Sequence, residues 1–559
     1  MFLSEQRGTF AHAADSAHIW AMQQTPLDIA IIGGGHNGLA CAAYLAGAGL
    51  SVVVLEKNAV VGGAALTEEF HPGFRNSVAA YTVSLLNPTV IRDLDLHAHG
   101  LTIVERPVAN FWPVDDRRYL LMPYGLANRQ QAIAAFSARD AERLPAYDAA
   151  LERAASLLRE LVLKRPPNVG GGILELIGST GLGRRLFGLS LEDKRLLLDL
   201  FTKSAADYLG HWFESDVVKG AFAFDGIVGA YASPYTPGTA YVLLHHCFGE
   251  VNGKSGVWGH ALGGMGAITQ AMARAAEARG VRIRTNAAVA GLIIEDGKAT
   301  GVRLQSGERI EARAVAANIG PKLLFRDLVP EGTIEPELHR RFTGIKTGSG
   351  TFRMNVALSE LPDFTCRPGK AQQDHHGSGI VIGPTLGYLE RAYLDARAHG
   401  WARQPVVEML IPSTLDPGLA PAGRHVASLF VQHVAPQLPG GRSWDDAKAE
   451  FADLVIDTVT AHAPNFKASV LGRQILSPLD LERRFGLLDG DIFHGQLSLD
   501  QLFSARPVLG YADYRMPLAG LYLCGSGAHP GGGVTGVPGR NAAIEIIRDF
   551  RRPAWFGNR

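Results

Sequence analysis

The chain has no surplus of either charge: 54 Lys and Arg stand against 54 Asp and Glu. Nucleic-acid binding draws on a basic excess, so no nucleic-acid partner is expected. Cysteine is scarce. Cys41, Cys247, Cys366 and Cys524 are scattered, with no C-x-x-C pair and no His/Cys group at ligand spacing. No metal site follows from such spacing, and the neighbouring thiols that a disulfide reductase needs are missing. A reduced, cytoplasmic chain whose thiols act as small buried apolar groups fits this usage. No repeat of fixed period is present. Residues 1–26 lack the apolar core of a signal peptide and hold a single Arg, so a disordered tail is expected, with Met22 a possible second start.

One long stretch lacks charge altogether. DIAIIGGGHNGLACAAYLAGAGLSVVVLE, Asp28 to Glu56, carries no charged residue between its ends. Its length suffices to span a bilayer, which takes about twenty apolar residues. Its punctuation describes a nucleotide site instead: a β-branched run (Ile29 to Ile32), a glycine cluster, an alanine-rich stretch, then Val52 to Leu55 and an acid. Gly33, Gly35 and Gly38 occupy the G-x-G-x-x-G positions, which serve the tight turn, the approach of backbone to a pyrophosphate and close helix–strand packing. The free N–H groups of the following helix N-terminus suit an anion, and Glu56 lies at the distance expected of a ribose ligand. The fold class expected is therefore α/β with a Rossmann-like dinucleotide-binding domain, the continuous apolar strands being buried on both faces.

Later segments bear on which dinucleotide. Gly62 and Gly63 form a second turn directly after Glu56 and Lys57. GGMGAITQAMARAAEARG reads as a glycine turn and an amphipathic helix over 268–279, followed by four short strands, the one around Val289 returning to the first domain. GLYLCGSGAHPGGGVTGVPGRNAAIEIIRDF reads as a strand (Leu521 to Cys524), a glycine-rich turn and a closing helix from about Gly539. Three distant segments thus look built to close on one long ligand, the layout that a flavin adenine dinucleotide (FAD) needs. No second nicotinamide site is visible: NVGGGILELIGSTGLG follows Pro166 and Pro167 rather than a strand, and GGMGAIT lacks the third glycine.

The words GGGHNGLACAAYLAGAG, VVGGAALTEEFHPGF, AYTVSLLNP, VWGHALGGMGA, LERRFGLLDGDIFHGQLSLDQLFSARP and CGSGAHPGGGVTGVPGRNAA resemble the carotenoid and phytoene desaturase-related FAD flavoproteins, within the monoamine oxidase fold group. The resemblance runs from about residue 27 to 548. It implies noncovalent FAD with Gly33, Gly35, Asn37, Gly38, Glu56 and Lys57 on the ADP half, Gly62, Gly63, Ala64, Gly264 and Met265 along the cofactor, Val289 near the adenine, and Gly525, Ser526, Gly533 and Val534 near the ribityl and ring. Two positions depart from the family pattern: Ala64 stands where relatives often carry Arg, and Ser526 where many carry Asp.

The FAD-binding domain is expected to be discontinuous (27–104, 256–339 and 481–548), with a substrate or cap domain of mixed sheet and helices from 105–255 and 340–480, helices over one face, and a tail at 549–559. The chemistry implied is hydride transfer from an apolar or isoprenoid-like donor to flavin, electrons then passing to oxygen, a quinone or another protein. His529, inside the last glycine motif, and His494, in DIFHGQLS, are the candidate bases, each with the alternative of a buried ring bonded to backbone. His245 and His246 read as core, and Trp258 as core or a wall of the ring. GLGRRLFGLSL (Arg184, Arg185, Leu186, Phe187) and the tail with Trp555 and Phe556 mix basic and apolar groups as a peripheral membrane contact does. Flat apolar stretches in the inserts fit either a pocket lining or a homo-oligomer surface. The rival functions are an amine oxidase on the same scaffold, a flavin-bearing binding protein with little turnover, and a reductase or isomerase.

Overall fold

The computed structural model describes residues 27–169, 180–181 and 183–551. The expected N-terminal tail with Met22, most of NVGGGILELIGSTGLG, and Trp555 and Phe556 lie outside them.

Five parallel strands form the first layer: β1 (Ile29–Ile32), β2 (Val52–Leu55), β3 (Arg282–Arg284), β4 (Ala314–Ala317) and β5 (Leu521–Leu523), in the order β3-β2-β1-β4-β5. All residues of β1, β2 and β4 are buried, which is why these strands are continuous apolar runs rather than alternating ones. Helix α1 (His36–Gly47) buries most of its circumference through Leu39, Ala40, Cys41, Ala42, Ala43 and Leu45, the mark of a helix enclosed on several sides. Helix α2 (Gly266–Glu277) and helix α3 (Val537–Arg551) pack against it. Both start two residues earlier than the sequence suggests. For α3 the reason is that Pro538 is tolerated in the first turn, where its missing N–H has no helical partner to lose.

The second layer is a seven-stranded mixed sheet in the order 470–476, 352–358, 425–434, 401–410, 379–382, 110–113, 119–122. All neighbours are antiparallel except 379–382 with 110–113. On one face Phe352, Met354, Val356 and Leu358 pack with Phe451, Val455 and Val459 of the helix Trp444–His462. The other face differs from the expectation of helices on one side only. Trp112, Leu120, Met122, Val381 and Val406 make its edge apolar as well, so helices such as Ala138–Val162 and Leu386–His399 cover that edge. Among the described residues no helix is long and apolar enough to cross a membrane.

One tight constraint is where α3 crosses α1. A Cβ on Gly539 would stand 2.0 Å from the Asn37 carbonyl oxygen, whereas one on Gly210, exposed in the helix Ala205–Trp212, would meet nothing within 4 Å. Gly539→Ala is expected to lower the unfolding free energy by about 1–3 kcal/mol, the cost of overpacking. Gly210→Ala is expected to raise it by up to about 1 kcal/mol through helix propensity. Urea denaturation of the two variants checks the contrast.

Candidate functional site

The first glycine turn is shaped by backbone contacts. Gly33 leaves β1 at φ +94°, its carbonyl accepting from the Asn318 amide at 3.1 Å, and a Cβ on Gly38 would lie 2.3 Å from that same oxygen. The second double glycine packs directly on this turn: Gly62 N donates to the Gly34 carbonyl at 2.9 Å, and a Cβ on Gly63 would sit 3.3 Å from Gly35 Cα. Ala64 follows, its carbonyl accepting from Ala80 N. Behind them Gly264 turns at φ +79°, Met265 N donates to Ser77 Oγ, and Thr269 Oγ1 bonds the Ala65 carbonyl, so that α2 braces the double glycine.

Glu56 ends β2 with a buried carboxylate that accepts from Gly34 N at 2.8 Å and from Asn58 N and Nδ2 at 2.9 and 2.8 Å. Its carbonyl accepts from Ala287 N, bringing half-buried Val289 alongside. Lys57 is exposed and turns to the Arg483 carbonyl, 3.4 Å away.

The C-terminal segment closes on the same turn. Gly525 lies against Asn318, where a Cβ would be 3.1 Å from Oδ1. Asn37 donates to Ser526 Oγ at 3.0 Å, and His36 Nε2 lies 3.1 Å from the carbonyl of Gly533, which precedes half-buried Val534. Arg506, itself buried, locks the neighbouring loop by donating to the carbonyls of Phe493, Gly495, Gln501 and Ser526. Two features of this arrangement ask for a ligand. Gly35 caps α1 without a side chain, leaving first-turn N–H groups free for an anion. Asn37 Oδ1 is buried with no hydrogen-bond partner. Free N–H donors, a glycine cradle and the Glu56 carboxylate together fit the diphosphate and ribose of a dinucleotide.

The candidate histidines are held by their surroundings. Burial lowers His36, His494 and His529 to about 4, so each is neutral at pH 7. His529 sets Nε2 3.3 Å from the Leu161 carbonyl and its ring edge-on to Phe503, and His494 takes φ +56° beside Gly320. His245 is buried against Phe493, and His246 bonds the Val242 carbonyl. Cys41 and Cys524, 483 positions apart, meet as hydrogen-bonded thiols; that bond and burial push Cys41 well up, the opposite of an exchange-active thiolate. All four cysteines are free, and no cluster of metal-ligand type occurs among the described residues.

One group of residues escaped the sequence reading. Arg353, Phe430 and Glu408 form a single rung across three strands of the seven-stranded sheet, on the face away from the helix Trp444–His462. Tyr81, from the AYTVSLLNP word, lies over this rung. Its ring stacks on Phe430 at 5.2 Å, its hydroxyl donates to Glu408, and the Arg353 guanidinium sits 4.5 Å from its centre. Arg106, one residue past the strand Ile103–Glu105, joins over Trp258 at 5.3 Å and is bonded to Thr82 Oγ1. Burial pushes the Glu408 carboxyl up, and it raises half-buried Asp225 to about 7 with help from the Glu408 charge. The signal was present: TFRMNVAL and VVEMLIP each place one lone charge inside an apolar strand.

The neutral histidines give a pH prediction. Their folded-state values near 4 lie below the unfolded value of about 6.5, so stability from them is complete above 6.5 and is lost as pH falls toward 4. Urea midpoints measured between pH 7 and 4 are expected to fall, and His494→Gln with His529→Gln is expected to make that fall shallower.

Residues 38–350 match the family model described as flavin containing amine oxidoreductase. The chain is 41% identical over 548 residues, 94% of each chain, to pyridine nucleotide-disulfide oxidoreductase domain-containing protein 2 of Rattus norvegicus. It is 26% identical over 529 residues, 91% of this chain and 96% of the relative, to phytoene desaturase (lycopene-forming) of Pseudescherichia vulneris. In fold it is similar to cyclohexylamine oxidase from Brevibacterium oxydans IH-35A, with a TM-score of 0.56 at 16% identity, covering 94% of this chain and all of that one. Since the family model spans more than half of the chain and the rat relative nearly all of it, the chain belongs to the flavin containing amine oxidoreductase family.

Proposed function

We propose that the protein is an FAD-dependent dehydrogenase that takes hydride from a carbon of a small organic molecule held between the glycine segments and the polar face of the seven-stranded sheet. The observation that carries this reading is the convergence of residues 33–38, 62–64 and 525–534 on one cradle with an unpartnered Asn37 Oδ1. FAD, when bound, supplies the hydride acceptor; the chain supplies orientation, charge and exclusion of water. Glu56 holds the ribose end, the α1 N-terminus the diphosphate, and Gly525 to Val534 the far end. His529 and His494, held neutral by burial, act as scaffold at neutral pH.

A lipophilic or isoprenoid-like donor collected from a membrane surface is the finer reading. The relatives named phytoene desaturase support it, and so does a surface on which Phe187 is 86%, Leu191 63% and Leu198 61% exposed. The basic part of that surface is partly neutralised, since Arg185 pairs with Glu160 and Arg153 with Glu192, so apolar contact is the larger contribution. The amine-oxidising alternative rests on the family description alone.

Purified protein reconstituted with FAD is expected to show flavin bands, to be reducible anaerobically, and to reoxidise with oxygen or a soluble quinone but not with NAD(P)⁺. Glu56→Gln is expected to weaken FAD about tenfold, or about 1.4 kcal/mol. Absence of flavin after reconstitution overturns the reading. Co-sedimentation with liposomes is expected to drop in Phe187→Asp, and an unchanged bound fraction removes the membrane contact.

A further inference from the structure

Burying a guanidinium is unfavourable unless its charge and its N–H groups are satisfied. Arg353 is 1% and Arg106 4% exposed. Yet Nε and Nη1 of Arg353 and Nη1 of Arg106 have no hydrogen-bond partner; Arg353 keeps only Ser428 Oγ at 2.8 Å, and Arg106 only Thr82 Oγ1 at 2.6 Å. Glu408 is the carboxylate between them, and it forms an ion pair with neither: its Oε2 is taken by the Tyr81 hydroxyl. A Cβ on Gly379 would lie 3.0 Å from Arg106 Nη1 and 3.1 Å from Glu408 Oε1, so both groups flank this glycine. Two cations thus face one carboxylate already occupied by a hydroxyl. Tyr81 and Trp258, the rings against which the guanidiniums lie, are half-buried, and Tyr81 and Arg106 line a small cavity of about 10 Å³ with Gly259 and His260.

We propose that Arg353 and Arg106 form an anion subsite, and that the molecule oxidised by this protein carries a carboxylate or phosphate ester which these guanidiniums bind. The proposal rests on the dehydrogenase reading and narrows its substrate class. Guanidinium matches both carboxylate and phosphate through charge-assisted hydrogen bonds. Tyr81 is the positioning residue: by donating to Glu408 it keeps that carboxylate off the arginines, while its ring face supports the Arg353 cation. A donor of pure hydrocarbon would leave three buried guanidinium nitrogens and a surplus positive charge unanswered. An amphipathic acid, with its apolar portion toward the cofactor and its head on the sheet, answers both.

The test is calorimetric titration of the full-length, FAD-loaded protein with octanoate, octyl phosphate, octanol and octylammonium. Octanoate or octyl phosphate is expected to bind at least tenfold more tightly than the other two, and the stronger of the pair tells which anion the site prefers. Arg353→Gln and Arg106→Gln are each expected to weaken that anion about tenfold at unchanged flavin content, with Arg353→Lys recovering part of the loss. Tyr81→Phe is expected to weaken it as well, because the released Glu408 then competes for the arginines; this variant keeps the test decisive where an arginine variant does not fold. Equal affinity for octanol, or anion binding indifferent to all of these substitutions, overturns the proposal. Protein that holds no FAD but captures octanoate through Arg353 overturns the dehydrogenase reading and leaves the anion subsite standing.

Discussion

The structure depends on backbone meeting backbone where no side chain fits. Gly38 lies against the Gly33 carbonyl within α1's own first turn, and Gly539 of α3 lies against the Asn37 carbonyl one residue away. Helix α1 is therefore pressed from its own strand and from the end of the chain at almost the same point. That pressure holds its uncapped N-terminus at the glycine turn, where the Asn37 side chain reaches Ser526. Packing at this density tolerates little displacement, so the geometry of the glycine turn is set largely by backbone contacts, with the Glu56 carboxylate holding Gly34 N.

Polar contacts then close the arrangement from the other side. Arg506 ties four carbonyls of the 493–526 region into one unit, and Asp491 opposite it collects the N–H groups of Gly348, Phe493 and Gly495. An arginine and an aspartate enclosed this way organise loops that have little regular structure of their own. On the polar face of the seven-stranded sheet the balance differs: Arg353 and Arg106 are enclosed equally well, but Arg353 bonds only Ser428 Oγ and Arg106 only Thr82 Oγ1.

Much of the first layer was legible because its signals are local. The run Ile29 to Ile32, the spacing of Gly33, Gly35 and Gly38, and Leu521 to Leu523 each announce an element within a few residues. Segment closure was legible too, through glycine-rich words that have no use in an ordinary core. What could not be read is the meeting of side chains far apart in the chain. Nothing near His529 signals that its ring faces the Leu161 carbonyl, and nothing near Cys41 signals Cys524. Tyr81, Arg106, Arg353 and Glu408 come from four segments, and only the register of three strands sets Arg353, Phe430 and Glu408 in one row. A lone charge in an apolar strand marks such a position, but its partner is a property of the sheet.

The strand order of the first layer carries a consequence for synthesis. β1 is made well before much of its sheet: β4 and β5, which finish it, and α3, which presses on α1, come from 314–317, 521–523 and 537–551. At about 5–20 residues per second, the ribosome needs on the order of a minute to get from one to the other. During that interval β1 has β2 beside it, but its other edge and much of α1 lack their final neighbours and stay exposed. The glycine segments are brought together only after α3 emerges, so a chain cut short before α3 lacks the helix that presses on α1.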